Sequence, residues 1–96
     1  MALGSESGAE IFEGRNQTIL NAASTTTQVK ATAGKLAKII ITTAPATFVI
    51  YDDASANNNQ VWGIATAGVY DVQIPMNNGI RCVTGTGTTL IVLVWT

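Results

Sequence analysis

The sequence predicts an all-β fold: a single antiparallel β-sandwich, jelly-roll-like, with seven or eight short strands. Runs rich in Thr, Val, Ile and Ala alternate with turn residues at intervals of about ten residues, and no segment has the apolar period of an amphipathic helix. A chain of 96 residues is long enough for one domain only. We expect residues 16–96 to form the sandwich and residues 1–15 to form an extended N-terminal arm.

The strands are predicted from short apolar or β-branched runs bounded by turn residues. These runs cover residues 18–20, 26–30, 35–43, 47–52, 60–66, 69–74, 80–84 and 88–95. In residues 35–43 the apolar side chains recur at every second position, as in a strand with one buried face. Glycine and proline separate the runs, for example at Gly34, Pro45 and residues 75–79, where their backbone geometry favours turns.

The last predicted strand is apolar on both faces. Its alternating positions are Leu90, Val92 and Val94 on one side and Ile91, Leu93 and Trp95 on the other. Such a strand lies either at the centre of a core or with its outer face against a neighbouring subunit. We expect Ile91, Leu93 and Trp95 to contribute to an interface with a partner or with a second copy.

The composition argues against an enzyme. The chain has no histidine, one cysteine and 11% charged residues, so few groups are available to transfer protons, bind metal or activate a nucleophile. Cys82 has no histidine to activate it, and Asp52 and Asp53 are adjacent strand residues that point to opposite faces. We therefore expect no catalytic residues, no cofactor and no metal site.

The charge and hydropathy patterns exclude two kinds of partner. A net charge of −1 lacks the basic footprint of a nucleic-acid-binding domain. The longest apolar run, residues 90–95, is far shorter than the roughly 20 residues that span a bilayer. The N-terminus lacks the pattern of a signal peptide, so synthesis in the cytoplasm is expected.

Two aromatic residues are candidates for binding a partner. Trp62 is followed by Gly63 and lies close to the asparagine-rich loop 57–59, and Tyr70 follows on the next predicted strand. Exposed Trp and Tyr side chains are common in protein and glycan interfaces. The alternative is that both rings pack in the core.

Three segments carry a resemblance to a known group of proteins: residues 29–36 (VKATAGKL), 49–56 (VIYDDASA) and 78–87 (NGIRCVTGTG). From residue 26 onward the chain resembles small virion proteins of tailed bacteriophages and prophages. The resemblance implies a head decoration (cement) protein that binds the major capsid protein on the outer surface of the virion and stabilises subunit junctions. The alternative that it leaves open is a receptor- or glycan-binding module of a head fibre or tail component.

The N-terminal arm has the composition of a contact segment. It carries Glu6, Glu10 and Glu13, and Ile11-Phe12 is its one strong apolar pair. We expect the apolar pair to enter a groove on the capsid and the glutamates to meet basic capsid residues.

Self-association is also expected. A domain of this size has a thin stability margin, and a lone cysteine cannot form an internal disulfide. A homo-trimer is preferred over a dimer, but capsids offer both local three-fold and local two-fold sites, so symmetry alone does not choose between them.

Overall fold

The computed structural model describes residues 16–96, and this part of the chain contains eight β-strands and no helix. The strands are β1 (Asn16–Leu20), β2 (Thr26–Lys30), β3 (Gly34–Thr43), β4 (Phe48–Tyr51), β5 (Gln60–Trp62), β6 (Gly68–Met76), β7 (Ile80–Thr84) and β8 (Leu90–Trp95). The predicted all-β class is therefore confirmed. The predicted arm, residues 1–15, lies outside the described residues.

The strands form two antiparallel sheets of four strands each, in the orders β1-β8-β3-β6 and β2-β7-β4-β5. The pairing is nested: the first strand pairs with the eighth, the second with the seventh, the third with the sixth and the fourth with the fifth. The β3–β8 and β4–β7 pairs then join these ribbons side by side. This wrapping of one long hairpin into two sheets is the jelly-roll arrangement.

The core lies between the inner faces of the two sheets. It forms because strand side chains alternate, so every second residue of each strand points inward. The buried residues of this core are Leu20, Leu36, Ile39, Ile41, Phe48, Ile50, Met76, Ile80, Cys82, Ile91 and Leu93. Most are leucine or isoleucine, and the burial of this cluster supplies most of the apolar stabilisation of the fold.

The structure corrects the interface role expected of Ile91 and Leu93. Both were expected to contribute to an interface, but both are completely buried in the core of the single chain. Strand β8 lies between β1 and β3, and its inward face packs into the sandwich. A side chain without exposed surface has nothing left to offer a partner, so the interface prediction is wrong for these two residues.

The turn between β6 and β7 is fixed to the loop after β4 by a carboxylate. Asp52 is buried, and its side chain accepts hydrogen bonds from the backbone N–H groups of Asn77 (2.9 Å), Asn78 (2.7 Å) and Gly79 (3.3 Å). A Cβ atom at Gly79 would lie 2.6 Å from the carbonyl oxygens of Lys30 and Asp53, so only glycine fits there. These contacts hold one end of the two sheets together.

Candidate functional site

The outer face of the β1-β8-β3-β6 sheet carries a line of apolar side chains. Ile19 lies opposite Val92, Val92 opposite Ile40, and Ile40 opposite Val69, so the four residues cross all four strands. We call these four residues the apolar row. With strands about 4.8 Å apart, the row is about 14 Å long. Antiparallel sheets that face water are usually polar on their outer face, so this row is unusual.

The two ends of the apolar row are its most accessible parts. Ile19 and Val69 lie on the edge strands, and 61% and 66% of their respective surfaces are exposed. Val92 and Ile40 are half-buried because each has a neighbouring strand on both sides. The row is therefore continuous, and it is open to a partner along its whole length.

The surroundings of the apolar row are partly polar. The neighbouring line of cross-strand partners consists of Gln17, Val94, Lys38 and Asp71. On the other side lies Leu90, which is 38% exposed. An apolar centre with charged and polar groups at its margin is the usual composition of a protein interface. This outer face is the strongest candidate for a binding surface among residues 16–96.

The outer face of the other sheet is more polar, and its polar groups bind one another. The Arg81 side chain donates from Nε to the Asn57 Oδ1 atom and from Nη1 to the Gln28 Oε1 atom, both at 2.8 Å. Gln28 in turn donates from Nε2 to the carbonyl oxygens of Lys30 and Asp53, both at 2.8 Å. These side chains connect β2, β7 and the loop after β4, so they stabilise the fold.

Trp62 and Tyr70 contact each other at one side of the sandwich. They lie on β5 and β6, edge strands of different sheets, with ring centroids 5.0 Å apart and an interplanar angle of 68°. Trp62 Nε1 donates to the Ile64 carbonyl oxygen (2.9 Å), and the Tyr70 hydroxyl donates to that of Thr66 (2.7 Å). Both rings are half-buried and pack against the core. The arrangement fits the core-packing alternative better than an open platform for a sugar ring.

Trp95 is half-buried and also packs against the core. Its Nε1 donates to the Thr18 hydroxyl oxygen at 2.9 Å, which connects the end of β8 to β1. The Lys30 Nζ atom, from the other sheet, lies 5.8 Å from the ring centroid, within the range of a cation–π contact. These contacts join the two sheets, while one part of the ring stays accessible.

The two carboxylates that follow β4, Asp52 and Asp53, accept hydrogen bonds from the backbone of the same chain. Burial by itself raises the pKa of Asp52, but the three backbone N–H bonds outweigh it and hold the pKa below its ordinary value. The N–H groups of Ser55 and Ala56 likewise lower the pKa of Asp53. Both carboxylates are therefore charged at neutral pH and occupied by backbone donors.

The thiol of Cys82 offers little for chemistry. Burial raises the pKa of the Cys82 thiol to about 12, so the thiol stays protonated at neutral pH and is a poor nucleophile.

A cleft near Leu20, Thr25 and Thr84 has a volume of about 90 Å³. Pockets for drug-sized ligands are usually about 300–1,000 Å³. Within residues 16–96, no group of three or more His, Cys, Asp or Glu side chains is placed to bind a metal.

Sequence reasoning missed the apolar row. Ile19, Ile40 and Val69 were not singled out, because their meeting on one face depends on the register of three strand pairs. The signal available in the sequence was that the last strand is apolar on both faces, and one of these faces carries Val92. That signal indicated β8, the strand that carries Val92, but the residues singled out lie on the opposite face of this strand from the apolar row.

Comparisons with protein-family models, with curated proteins and with solved structures found no match to this chain. In the described part of the chain, no helix is long and apolar enough to cross a membrane.

Proposed function

We propose that the protein is a non-enzymatic structural protein of a tailed-bacteriophage virion, a decoration (cement) protein on the outer capsid surface. Its partner is the major capsid protein, and its action is to stabilise the junctions between capsid subunits. The observation that carries the proposal is the apolar row on the outer face of a sandwich whose own core is complete. Ile19 and Val69, at the two ends of this row, stay largely exposed in the single chain, and an exposed apolar surface of this kind favours a partner.

The physical logic of this function is multivalency. A small domain that touches two capsid subunits links them, and repetition of this link over the shell adds up to resistance against internal pressure. No reacting group is required for that task. The aliphatic side chains of the row supply contact area. The charged side chains of Lys38 and Asp71 beside the row would fix the orientation of the domain on its partner.

The alternative is a receptor- or glycan-binding module of a head fibre or tail component, with Trp62 and Tyr70 near its binding surface. Jelly rolls occur both in viral capsid proteins and in lectins, so the fold is compatible with either proposal and selects neither. The packing of Trp62 against Tyr70, with both polar atoms already bonded, favours the decoration protein.

The number of copies per particle distinguishes the two proposals. Quantitative mass spectrometry of purified virions, with the major capsid protein as the internal standard, is expected to give on the order of hundreds of copies, because a cement protein repeats with the shell lattice. A fibre module would be present in a few dozen copies or fewer. That lower count would overturn the decoration proposal, and so would absence from the virion.

We propose that the N-terminal arm makes a second contact with the capsid, through its Ile11-Phe12 pair and its three glutamates. Deleting residues 1–13 is expected to weaken binding to capsids in a co-sedimentation assay, because apolar contact and opposite charge are both lost. Circular dichroism should show an unchanged sandwich. If the truncated protein binds capsids as tightly as the full chain, the arm makes no contact that matters.

A further inference from the structure

The outer edge of strand β1 is the most regular edge of the sandwich that residues 16–96 form. β1 is an edge strand of its sheet, and among residues 16–96 only β8 pairs with it. Its five residues pair with β8 in unbroken register, from Asn16 opposite Trp95 to Leu20 opposite Ile91. The strand contains no proline and no charged residue. In an edge strand about half of the backbone N–H and C=O groups point away from the single neighbour, where another strand can bind them.

The other three edges have features that oppose such pairing. On β6, Pro75 lacks an N–H group, and Gln73 has a positive φ of 52° at a register shift against β3. On β2 the register shifts between Gln28 and Lys30, and the strand ends in a charged residue. β5 has only three residues. Bulges, proline, lysine and short length are the usual protections of edge strands, and β1 has none of them.

We propose that β1 pairs with β1 of a second copy of this chain, in antiparallel orientation, to form a dimer with one continuous eight-stranded sheet. Two identical strands can pair antiparallel about a two-fold axis, each offering the same groups to the other. Because β1 is uncharged, this pairing places no like charges opposite each other. The proposal concerns the free protein and does not depend on the proposed function.

The apolar row gives a second reason for this choice of partner. Ile19 is the end of the row at the β1 edge, and its exposed flank would be covered by residues of the second β1. The two rows would then continue each other across one outer face, from Val69 of one copy to Val69 of the other. Both outer ends of the new sheet are the protected β6 edges, so the assembly closes at two copies and does not grow into a fibre.

The test compares two substitutions at the two ends of the apolar row. Ile19→Lys and Val69→Lys add the same charge at residues that are 61% and 66% exposed, so both variants should fold, and circular dichroism checks this. Sedimentation over a concentration series is expected to give the wild type twice the chain mass of 10.0 kDa. Ile19→Lys should weaken the dimer at least about tenfold, because two lysines approach the two-fold axis. Val69→Lys should leave the dimer unchanged.

Each other outcome overturns the proposal. A wild-type monomer excludes the dimer, and if the outward β1 amides are nevertheless protected from hydrogen exchange, another part of the same chain covers this edge. A trimer is incompatible with a two-fold strand pair. Equal weakening by both substitutions means that the outer faces pack on each other, and a dimer that neither substitution affects uses a different surface.

Discussion

Replacing Asp52 with alanine is expected to lower the free energy of unfolding by about 2–4 kcal/mol, the largest effect we predict for a single polar side chain. The carboxylate is 8% exposed and accepts three backbone N–H groups from residues 77–79. Alanine leaves these donors without a protein partner. The turn lies at the surface, so water replaces part of what is lost, which keeps the expected effect below the sum of three buried bonds. Urea denaturation measures the difference.

Asp53→Ala is the matched control. Its carboxylate also accepts two backbone N–H groups, from Ser55 and Ala56, each at 2.9 Å. These bonds are local to one loop, whereas those of Asp52 join segments 25 or more residues apart. We therefore expect Asp53→Ala to reduce stability clearly less than Asp52→Ala. Equal losses would contradict the role assigned to Asp52.

The same carboxylates predict how stability depends on pH. The pKa values of Asp52 and Asp53 are lower in the folded chain than their ordinary value of 3.8, so folding favours the charged forms. Their contribution is complete above that ordinary value and is lost as the pH falls through the folded-state pKa values. The urea concentration at the unfolding midpoint of the wild type should decrease as the pH is lowered below about 4. In Asp52→Asn this midpoint should depend less steeply on pH.

The strands themselves were largely predictable from the sequence. Residues 26–30 and 80–84 were predicted with the same bounds that β2 and β7 have. Period-two patterns bounded by turn residues give this information locally. The end of β6 was not predicted, because Pro75 indicated a turn. Proline is accepted there because β6 is an edge strand, so its missing N–H group leaves no pairing unsatisfied.

The side of each strand that faces the core was harder to predict. In β8 both alternating sets are apolar, so hydrophobicity does not distinguish Leu93, which is buried, from Val92, which lies on the outer face. Only the pairing of β8 with β1 and β3, and the packing of the second sheet, distinguishes the two sets. The candidate surface depends on that choice and on the strand register, and neither is a property of one strand.

The second large effect is expected at Val92 in the apolar row. A lysine at this position would place a charge in the centre of the proposed capsid contact, where no described residue pairs with it. Burying such a charge is costly, so binding to capsids should weaken at least about tenfold, or about 1.4 kcal/mol. The fold should persist, because the side chain of Val92 lies on the outer face and not in the core.

Val83→Lys is the matched control for this experiment. Val83 is also a half-buried valine on an inner strand, β7, but it lies on the outer face of the opposite sheet. Co-sedimentation of both variants with capsids that lack the protein, over a range of protein concentrations, is the most direct test that the apolar row is the docking surface. We predict that Val92→Lys binds at least about tenfold more weakly than the wild type and that Val83→Lys binds as the wild type does. Wild-type binding by Val92→Lys, or equal loss by both variants, would contradict the account.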